Sequence, residues 1–326
     1  MQVNTFRLSE HGASDVLVWQ TVDLSELKSH EVLVRHHAVG VNFIDIYHRQ
    51  GLYPVELPSG LGLEAAGVVE AIGADVKGFK VGDRVTYCKA PLGAYSEAHI
   101  VPEDGLIALP DDIDFDVAAA MTLQGLTAAY LLHATTTIKP GMDILLHAAA
   151  GGVGLILAQW ASALGARVIG TVGSQAKAEL ALANGCQEVI LYQQEDVAKR
   201  VGELTKGKGV EVVYDSVGQA TCEASLNSLA RRGLFVSFGN ASGPAPAIAP
   251  LTLFQKGSVY MTRPGLADYT ADRAEMLMLA DKLFAVVKSG DVKILIGQTY
   301  DIAEAARAQD DLAERKTVGS SVLLVL

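Results

Sequence analysis

The chain has 326 residues, half of them hydrophobic and 19% charged, and a formal net charge of −11. That length suits two domains of roughly 100–200 residues each, with enough apolar material for a full core. The acidic balance gives no electrostatic help in approaching phosphate backbones or anionic membrane surfaces, which argues against nucleic acid as a partner.

Cys88, Cys186 and Cys222 stand far apart in the sequence and supply neither a disulfide framework nor a CxxC metal pair. Residues Met1–Gly12 lack a basic stretch followed by an apolar one, so no signal peptide is expected. Nor is any apolar run expected to reach the roughly 20 residues that cross a bilayer. A cytoplasmic protein is the expectation.

The first third reads as strands and turns. Val32–His36 alternates, Ala66–Gly73 is a β-branched run ending in glycine, and Val76–Val85 reads as a turn leading into a strand. From Asp116 the pattern changes. Val117–Met121 through Ala128–Leu132 is rich in helix formers and apolar on more than one face. After Lys139-Pro140-Gly141, short apolar strands alternate with helices. Strands are expected at Ile144–His147, Arg167–Thr171, Glu188–Tyr192, Val210–Asp215, Leu234–Phe238 and Ser258–Thr262, with a helix at Val153–Leu164 that stops at Gly165. Such alternation implies a parallel sheet with right-handed crossovers, and six strands make a doubly wound dinucleotide-binding domain. A helix near Ala271–Ser289, a strand at Gly297–Tyr300, a helix at Ile302–Glu314 and the apolar end Val322–Leu326 follow. This tail has too little apolar surface to stand alone, so it is expected to complete the first domain.

The sharpest chemical signal is Ile144–Gly154, an apolar strand running through Ala148-Ala149-Ala150-Gly151-Gly152-Val153-Gly154 into a helix. Gly151 lets backbone approach a pyrophosphate, Gly154 lets the helix pack on the strand, and the first amides of the helix face the negative charge. Ala149 replaces the first glycine of GxGxxG, so the bare pattern is degenerate, and the βα units downstream carry the reading. The end of the second strand selects the coenzyme. Thr171–Lys177 contains no carboxylate for a ribose 2′-hydroxyl, while Ser174 can donate a hydrogen bond and Lys177 can supply positive charge. NADPH is the expected cofactor. The alternative for Lys177 is a solvated helix lysine, and the missing acid argues independently of it.

The whole chain resembles the quinone oxidoreductases (zeta-crystallin-like) of the medium-chain dehydrogenase/reductase superfamily. The motifs that carry the resemblance are Val41–Asp45, Arg49–Pro54, Gly60–Gly67, Gly82–Val85, Gly125–Thr127, His147–Gly154, Tyr214–Gly218, Phe238–Asn240 and Thr262–Pro264. It implies an α/β fold in which a doubly wound Rossmann domain at 123–264 interrupts a β-rich, GroES-like catalytic domain at 1–122 and 265–326. It implies Asn42, Asp45 and Tyr53 beside the nicotinamide and substrate. For the cofactor it implies Asn42, Thr127 and Tyr130, then Gly151, Gly152 and Val153 at the pyrophosphate, and Gly173, Ser174 and Lys177 at the 2′-phosphate. Tyr192, Ser216, Phe238, Gly239 and Asn240 would follow the adenosine, Arg263, Pro264 and Leu266 the nicotinamide ribose, and Arg315 the phosphates. The alternative for Tyr192 and Phe238, at strand ends, is membership of the core, and for Asn42 a bridge between loops. Zinc alcohol dehydrogenases of the superfamily carry Cys where Asn42 stands, Gly-His-Glu where Gly62-Leu63-Glu64 stands, and a cysteine near Leu123-Gln124. Asn42 and Leu63 cannot supply that ligand set, so no metal is expected.

The expected activity is zinc-free transfer of hydride or electrons from NADPH to a quinone, with Asn42 and the Tyr53 hydroxyl donating to the oxygen that gains charge. Two rival readings are reduction of an enone or enoyl-thioester double bond, and a nucleotide-gated RNA-binding or structural, crystallin-like protein. The apolar segment Ser258–Thr262 is the expected last, edge strand of the Rossmann sheet, and a homodimer that pairs it with its twin would cover it.

Overall fold

The computed structural model describes residues 1–89 and 91–325, so Leu326 of the apolar end Val322–Leu326 lies outside the described residues. The chain builds two compact units. One comprises Met1–Leu126, Met276–Ala280 and Ile294–Leu326, the other Thr127–Glu275 and Asp281–Lys293.

The second unit holds six strands: β1 (Asp143–Leu146), β2 (Arg167–Val172), β3 (Glu188–Leu191), β4 (Val210–Asp215), β5 (Leu229–Ser237) and β6 (Tyr260–Thr262). Their order across the sheet is β3-β2-β1-β4-β5-β6, and every neighbouring pair is parallel. Parallel neighbours need crossovers, which the helices Gly152–Ala163, Gln175–Ala183, Val197–Leu204 and Cys222–Ser228 provide. The order reverses between β1 and β4, the switch point at which doubly wound sheets bind ligands. Leu145, Ile169, Ile190, Val213 and Phe235 are fully buried, one from each of the first five strands. Each such side chain contributes roughly 1.5–3 kcal/mol.

Two strand boundaries depart from expectation by more than one residue. β5 starts at Leu229, five residues before Leu234, because its polar opening segment Ala230-Arg231-Arg232-Gly233 hides the strand from a hydrophobicity reading. β6 is shorter than Ser258–Thr262, since Ser258 has φ 57° and cannot be extended. A third expectation fails on composition. The helix Phe115–Tyr130 and the π-helical turn Leu131–Thr135 form a 21-residue run of mean hydropathy 1.3, long and apolar enough to cross a bilayer. Its apolarity answers to the protein interior instead, because 78% of its most apolar window is buried there.

In the first unit, a seven-stranded sheet centres on Glu31–Val41, which pairs antiparallel with Ala65–Ile72, Ala98–Pro102 and Ser320–Leu324. The C-terminal strand thus completes a sheet begun near the N-terminus, with Ser321 opposite Val41. A second ribbon, Gln2–Leu8 with Leu17–Asp23, adds Phe6 and Leu8 to a core that includes Val34, Val39, Tyr87, Tyr95 and Leu323. One unit is β-rich and the other a parallel α/β unit, the expected fold class.

Candidate active site

In the first unit, Asn42 follows the strand Glu31–Val41 directly and caps the helix Phe43–Arg49. A capping box joins it to Asp45, whose Oδ2 accepts from the Asn42 backbone N–H at 2.9 Å. The Tyr95 hydroxyl donates to the same Oδ2 at 3.0 Å, and Gln309 Nε2 donates to that hydroxyl at 3.4 Å. Asp45 is wholly buried and its Oδ1 has no partner. Burial raises its carboxyl to about 7, against the pull of the Asn42 N–H and the Tyr95 hydroxyl. This placement makes Asp45 a fixture of the helix start rather than an exposed group.

The Asn42 side chain is held at both ends. Its Nδ2 donates to Glu64 Oε2 at 2.7 Å, and its Oδ1 accepts from Gln124 Nε2 at 3.2 Å. Glu64 also accepts from the Leu123 N–H at 2.6 Å, and Gln124 Oε1 lies 2.6 Å from the Ser320 hydroxyl, whose one hydrogen is shared with the Ala120 carbonyl at 2.8 Å. Glu64 is fully buried. Desolvation raises its carboxyl to about 8, the Leu123 N–H and the Asn42 amide oppose this, and Asp45 adds repulsion. Tyr53 is half-buried and edge-on to Tyr47 at 5.2 Å. Arg315 sits exposed with φ 62° in the turn after Ala305–Ala313, also in the first unit.

The positions compared with zinc ligands are therefore Asn42, Leu63, Glu64 and Gln124. Both ends of the two amides and both oxygens of the carboxylate are engaged with one another or with backbone and serine donors. This donor set does not fit zinc, which takes thiolate, imidazole and carboxylate ligands. Among the described residues no group of three or more His, Cys, Asp or Glu could hold a metal ion.

The second unit gathers the residues expected to cradle a dinucleotide at the C-terminal ends of its strands. After β1 the chain passes through Ala148, at φ 54°, and turns into the helix Gly152–Ala163 with Gly151 as an uncapped N-cap. A Cβ on Gly154 would stand 2.3 Å from the Ala148 carbonyl oxygen, so only glycine lets the helix sit this close to the turn. Gly151, Gly152 and Val153 remain partly exposed, with the positive end of the helix dipole behind them. Beyond β2, Ser174 caps the next helix by accepting from the Lys177 N–H at 3.4 Å. A Cβ on Gly173 would lie 2.6 Å from the hydroxyl of exposed Tyr192, which places these two residues together. Beyond β4, the Ser216 carbonyl accepts from Ala241 N–H, and Phe238 N–H donates to the Asp215 carbonyl. Ser216, Phe238, Gly239 and Asn240 therefore share one rim, with the Cβ position of Gly239 only 2.4 Å from the Ser216 oxygen. These glycine-lined strand ends, with no acid at the end of β2, are a cradle that a phosphorylated dinucleotide fits.

Among the other expected residues, Arg263 is exposed while Thr127, Tyr130 and Pro264 are buried. Tyr130 is buried and stacked on Tyr269 at 4.4 Å, and Thr127 is buried one turn earlier. Arg263 donates to the Pro264 carbonyl at 2.7 Å, Pro264 is buried, and Leu266 begins the helix Leu266–Tyr269. Sequence reasoning missed the partners that hold Asn42, namely Glu64 and Gln124. The available signal was a carboxylate set among Leu61, Leu63 and Ala65–Gly67, where an unpaired charge would not be tolerated.

Residues 152–281 match the family model for zinc-binding dehydrogenases, and residues 28–111 the model for the alcohol dehydrogenase GroES-like domain. A quinone oxidoreductase of Pseudomonas aeruginosa is 53% identical over 98% of both chains. The structure of Escherichia coli quinone oxidoreductase complexed with NADPH superposes with a TM-score of 0.95 at 48% identity, covering 99% of this chain and 100% of that one. A 2-haloacrylate reductase of a Burkholderia species is 44% identical over 97% of each chain. With this fold and this full-length similarity, the chain belongs to the quinone oxidoreductases of the medium-chain dehydrogenase/reductase superfamily.

Proposed function

We propose that this chain reduces quinones with NADPH, without a metal. One observation carries the coenzyme assignment: the glycine turn at 148–154 opens a helix while the neighbouring strand end, Thr171–Lys177, offers a hydroxyl and an amine but no acid. NADPH supplies the hydride when bound. Gly151, Gly152 and Val153 would hold its pyrophosphate, and Gly173, Ser174 and Lys177 its 2′-phosphate, where a carboxylate would repel it. On the substrate side, Asn42 and the Tyr53 hydroxyl would donate to the quinone oxygen as it gains charge. A quinone is already electrophilic, so the amide and hydroxyl suffice where an alcohol would need a Lewis acid.

A second reading has specific support. The 2-haloacrylate reductase relative is named for a substrate with an activated carbon–carbon double bond, and the same donors could polarise a conjugated carbonyl or carboxylate. We place the protein in the cytoplasm as a homodimer joined at the β6 edge. Tyr260 is 62% exposed there, and nearby in sequence Phe254 and Leu251 are 68% and 62% exposed. The deciding experiment follows NADPH and NADH oxidation against benzoquinones, enones, haloacrylates and enoyl thioesters. Quinone turnover with a strong NADPH preference is expected. Double-bond reduction without quinone turnover would establish the second reading instead.

A further inference from the structure

Beneath the proposed coenzyme cradle lies a chain of buried polar side chains that the activity does not itself require. His147 directly follows β1, Thr171 lies near the end of β2, Asp215 ends β4, and Ser225 lies on the helix Cys222–Ser228. All four are buried. Thr171 Oγ1 lies 2.9 Å from His147 Nδ1, His147 Nε2 lies 3.0 Å from Ser225 Oγ, and Ser225 Oγ donates to Asp215 Oδ2 at 2.7 Å. Asp215 further accepts from the Val217 and Gly218 N–H groups at 2.8 and 3.0 Å, and from the Thr221 hydroxyl at 2.7 and 2.8 Å.

The direction of these bonds is fixed by counting protons. Asp215 receives five bonds from four donor groups and behaves as a carboxylate that only accepts. The Ser225 hydroxyl has one hydrogen and gives it to Asp215, so it must accept from His147 Nε2–H. His147 Nδ1 is then bare and accepts from the Thr171 hydroxyl. Burial keeps the ring neutral by lowering its affinity for a second proton, with Asp215 opposing. Each end of the chain reaches a different part of the cradle. His147 leads into the turn 148–154, Thr171 leads into Gly173–Ser174, and Asp215 holds the turn Ser216–Gly218 by its own backbone amides. Thr171 also grips the glycine turn directly, since its carbonyl accepts from Ala149 N–H at 3.2 Å.

We infer that His147, Thr171, Ser225 and Asp215 are positioning residues that lock the pyrophosphate turn, the 2′-phosphate turn and the turn at Ser216–Gly218 into one preorganised coenzyme cradle. The inference rests on the NADPH reading. The buried histidine thereby acquires a purpose, because one ring with one donor and one acceptor edge sets the spacing of three loops at once. Losing a link frees loops that coenzyme binding must then order, which weakens binding before it affects chemistry.

The test compares Thr171→Val, which keeps the shape and removes the hydroxyl, with Thr171→Ser, which keeps the hydroxyl, and with Ser225→Ala. Titration should show NADPH binding about tenfold weaker in Thr171→Val and Ser225→Ala, and within about twofold of wild type in Thr171→Ser. Turnover at saturating NADPH should change by less than about twofold. In the coenzyme-free protein, amide exchange at residues 149–154 and 216–218 should quicken in Ser225→Ala. Nitrogen-15 spectra of the wild-type protein should show His147 neutral with its proton on Nε2, a readout that needs no variant to fold. A proton on Nδ1 would overturn the inference, as would unchanged NADPH binding and unchanged loop exchange in a folded Thr171→Val. Wild-type protein that binds no NADPH, yet shows the loop exchange and tautomer described, would refute the coenzyme reading and with it this role for the chain of residues.

Discussion

The Asn42 amide nitrogen donates to Glu64 Oε2 across 2.7 Å, and this bond sets which end of the amide is a donor. Gln124 reinforces the setting by donating to Asn42 Oδ1. Glu64→Gln would place an amide nitrogen where an acceptor stands, at either the Asn42 or the Leu123 contact. The chain of amides can answer by reversing, with Asn42 turning its oxygen toward residue 64. Such a reversal preserves the fold and changes the face offered to substrate.

The carboxyl of Glu64 is raised to about 8, and its protonated form resembles the glutamine variant. Wild-type quinone turnover should therefore climb with pH through an apparent value near 8. Glu64→Gln should lack that limb, turn over about tenfold more slowly above it, and bind NADPH as the wild type does. Steady-state kinetics across the pH range, with coenzyme titration alongside, checks all three. A variant that keeps the limb would remove Glu64 from the account.

Why was Asn42 legible in the sequence and Glu64 not? Asn42 stands in a motif, Val41–Asp45, and its residue type is itself a chemical statement. Glu64 also stands in a motif, Gly60–Gly67, but its partnership with Asn42 and Gln124 exists only once strands 31–41 and 65–72 and the helix beginning at Phe115 bring the three within hydrogen-bond reach. The parallel sheet was readable because β1 to β4 are apolar runs punctuated by glycine. The early half of β5 was not, since Arg231 and Arg232 are exposed on a strand whose pairing with β4 is irregular at Val210–Val212. The helix Phe115–Tyr130 shows the converse failure, where composition alone cannot separate a buried helix from a bilayer-spanning one.

Asp45 makes stability depend on pH in a definite direction. Its carboxyl, ordinarily near 3.8, is raised to about 7 in the folded protein, so between these values the native state holds a proton the unfolded chain has released. Stability from this group is therefore lost as pH rises through that window, by up to about 1.4 kcal/mol per pH unit. His36 and His99 work oppositely below their ordinary 6.5, because burial lowers them to about 3 and about 4. Asp45→Asn removes only the first effect. The stability of wild type minus that of Asp45→Asn should fall from about pH 4 to about pH 7 and then level off. Urea unfolding of both proteins at half-unit pH steps measures it, and a difference independent of pH would contradict the burial argument.

At the expected 2′-phosphate site, Ser174 is exposed and Lys177 half-buried on the same first helical turn. Removing the Lys177 charge deletes an attraction that NADPH has and NADH lacks. Lys177→Ala should weaken NADPH binding about tenfold or more and change NADH binding by less than about twofold. Raising the ionic strength should weaken NADPH binding in the wild type more than in the variant, since the screened interaction is already absent there. An unchanged coenzyme preference would move the phosphate site elsewhere.

The strand Tyr260–Thr262 pairs with β5 through Leu234, Phe235 and Val236 and stands at the margin of its sheet. Its free side carries backbone donors and acceptors, and Tyr260 adds a largely exposed aromatic ring. A second copy related by a two-fold axis would pair these edges antiparallel and bury the ring, because a two-fold places each residue against the same surface in reverse direction. The proposed dimer therefore depends on a patch that tolerates no like charge near its axis. Tyr260→Asp would set two carboxylates close together in a desolvated interface, and each would lack a cation. Light scattering should then report the mass of one 34.4 kDa chain for the variant against twice that for the wild type. Circular dichroism should stay unchanged, because Tyr260 lies outside the core of its own sheet. A wild-type protein that runs as a monomer at micromolar concentration would refute the dimer, and a dimeric Tyr260→Asp would place the interface away from this edge.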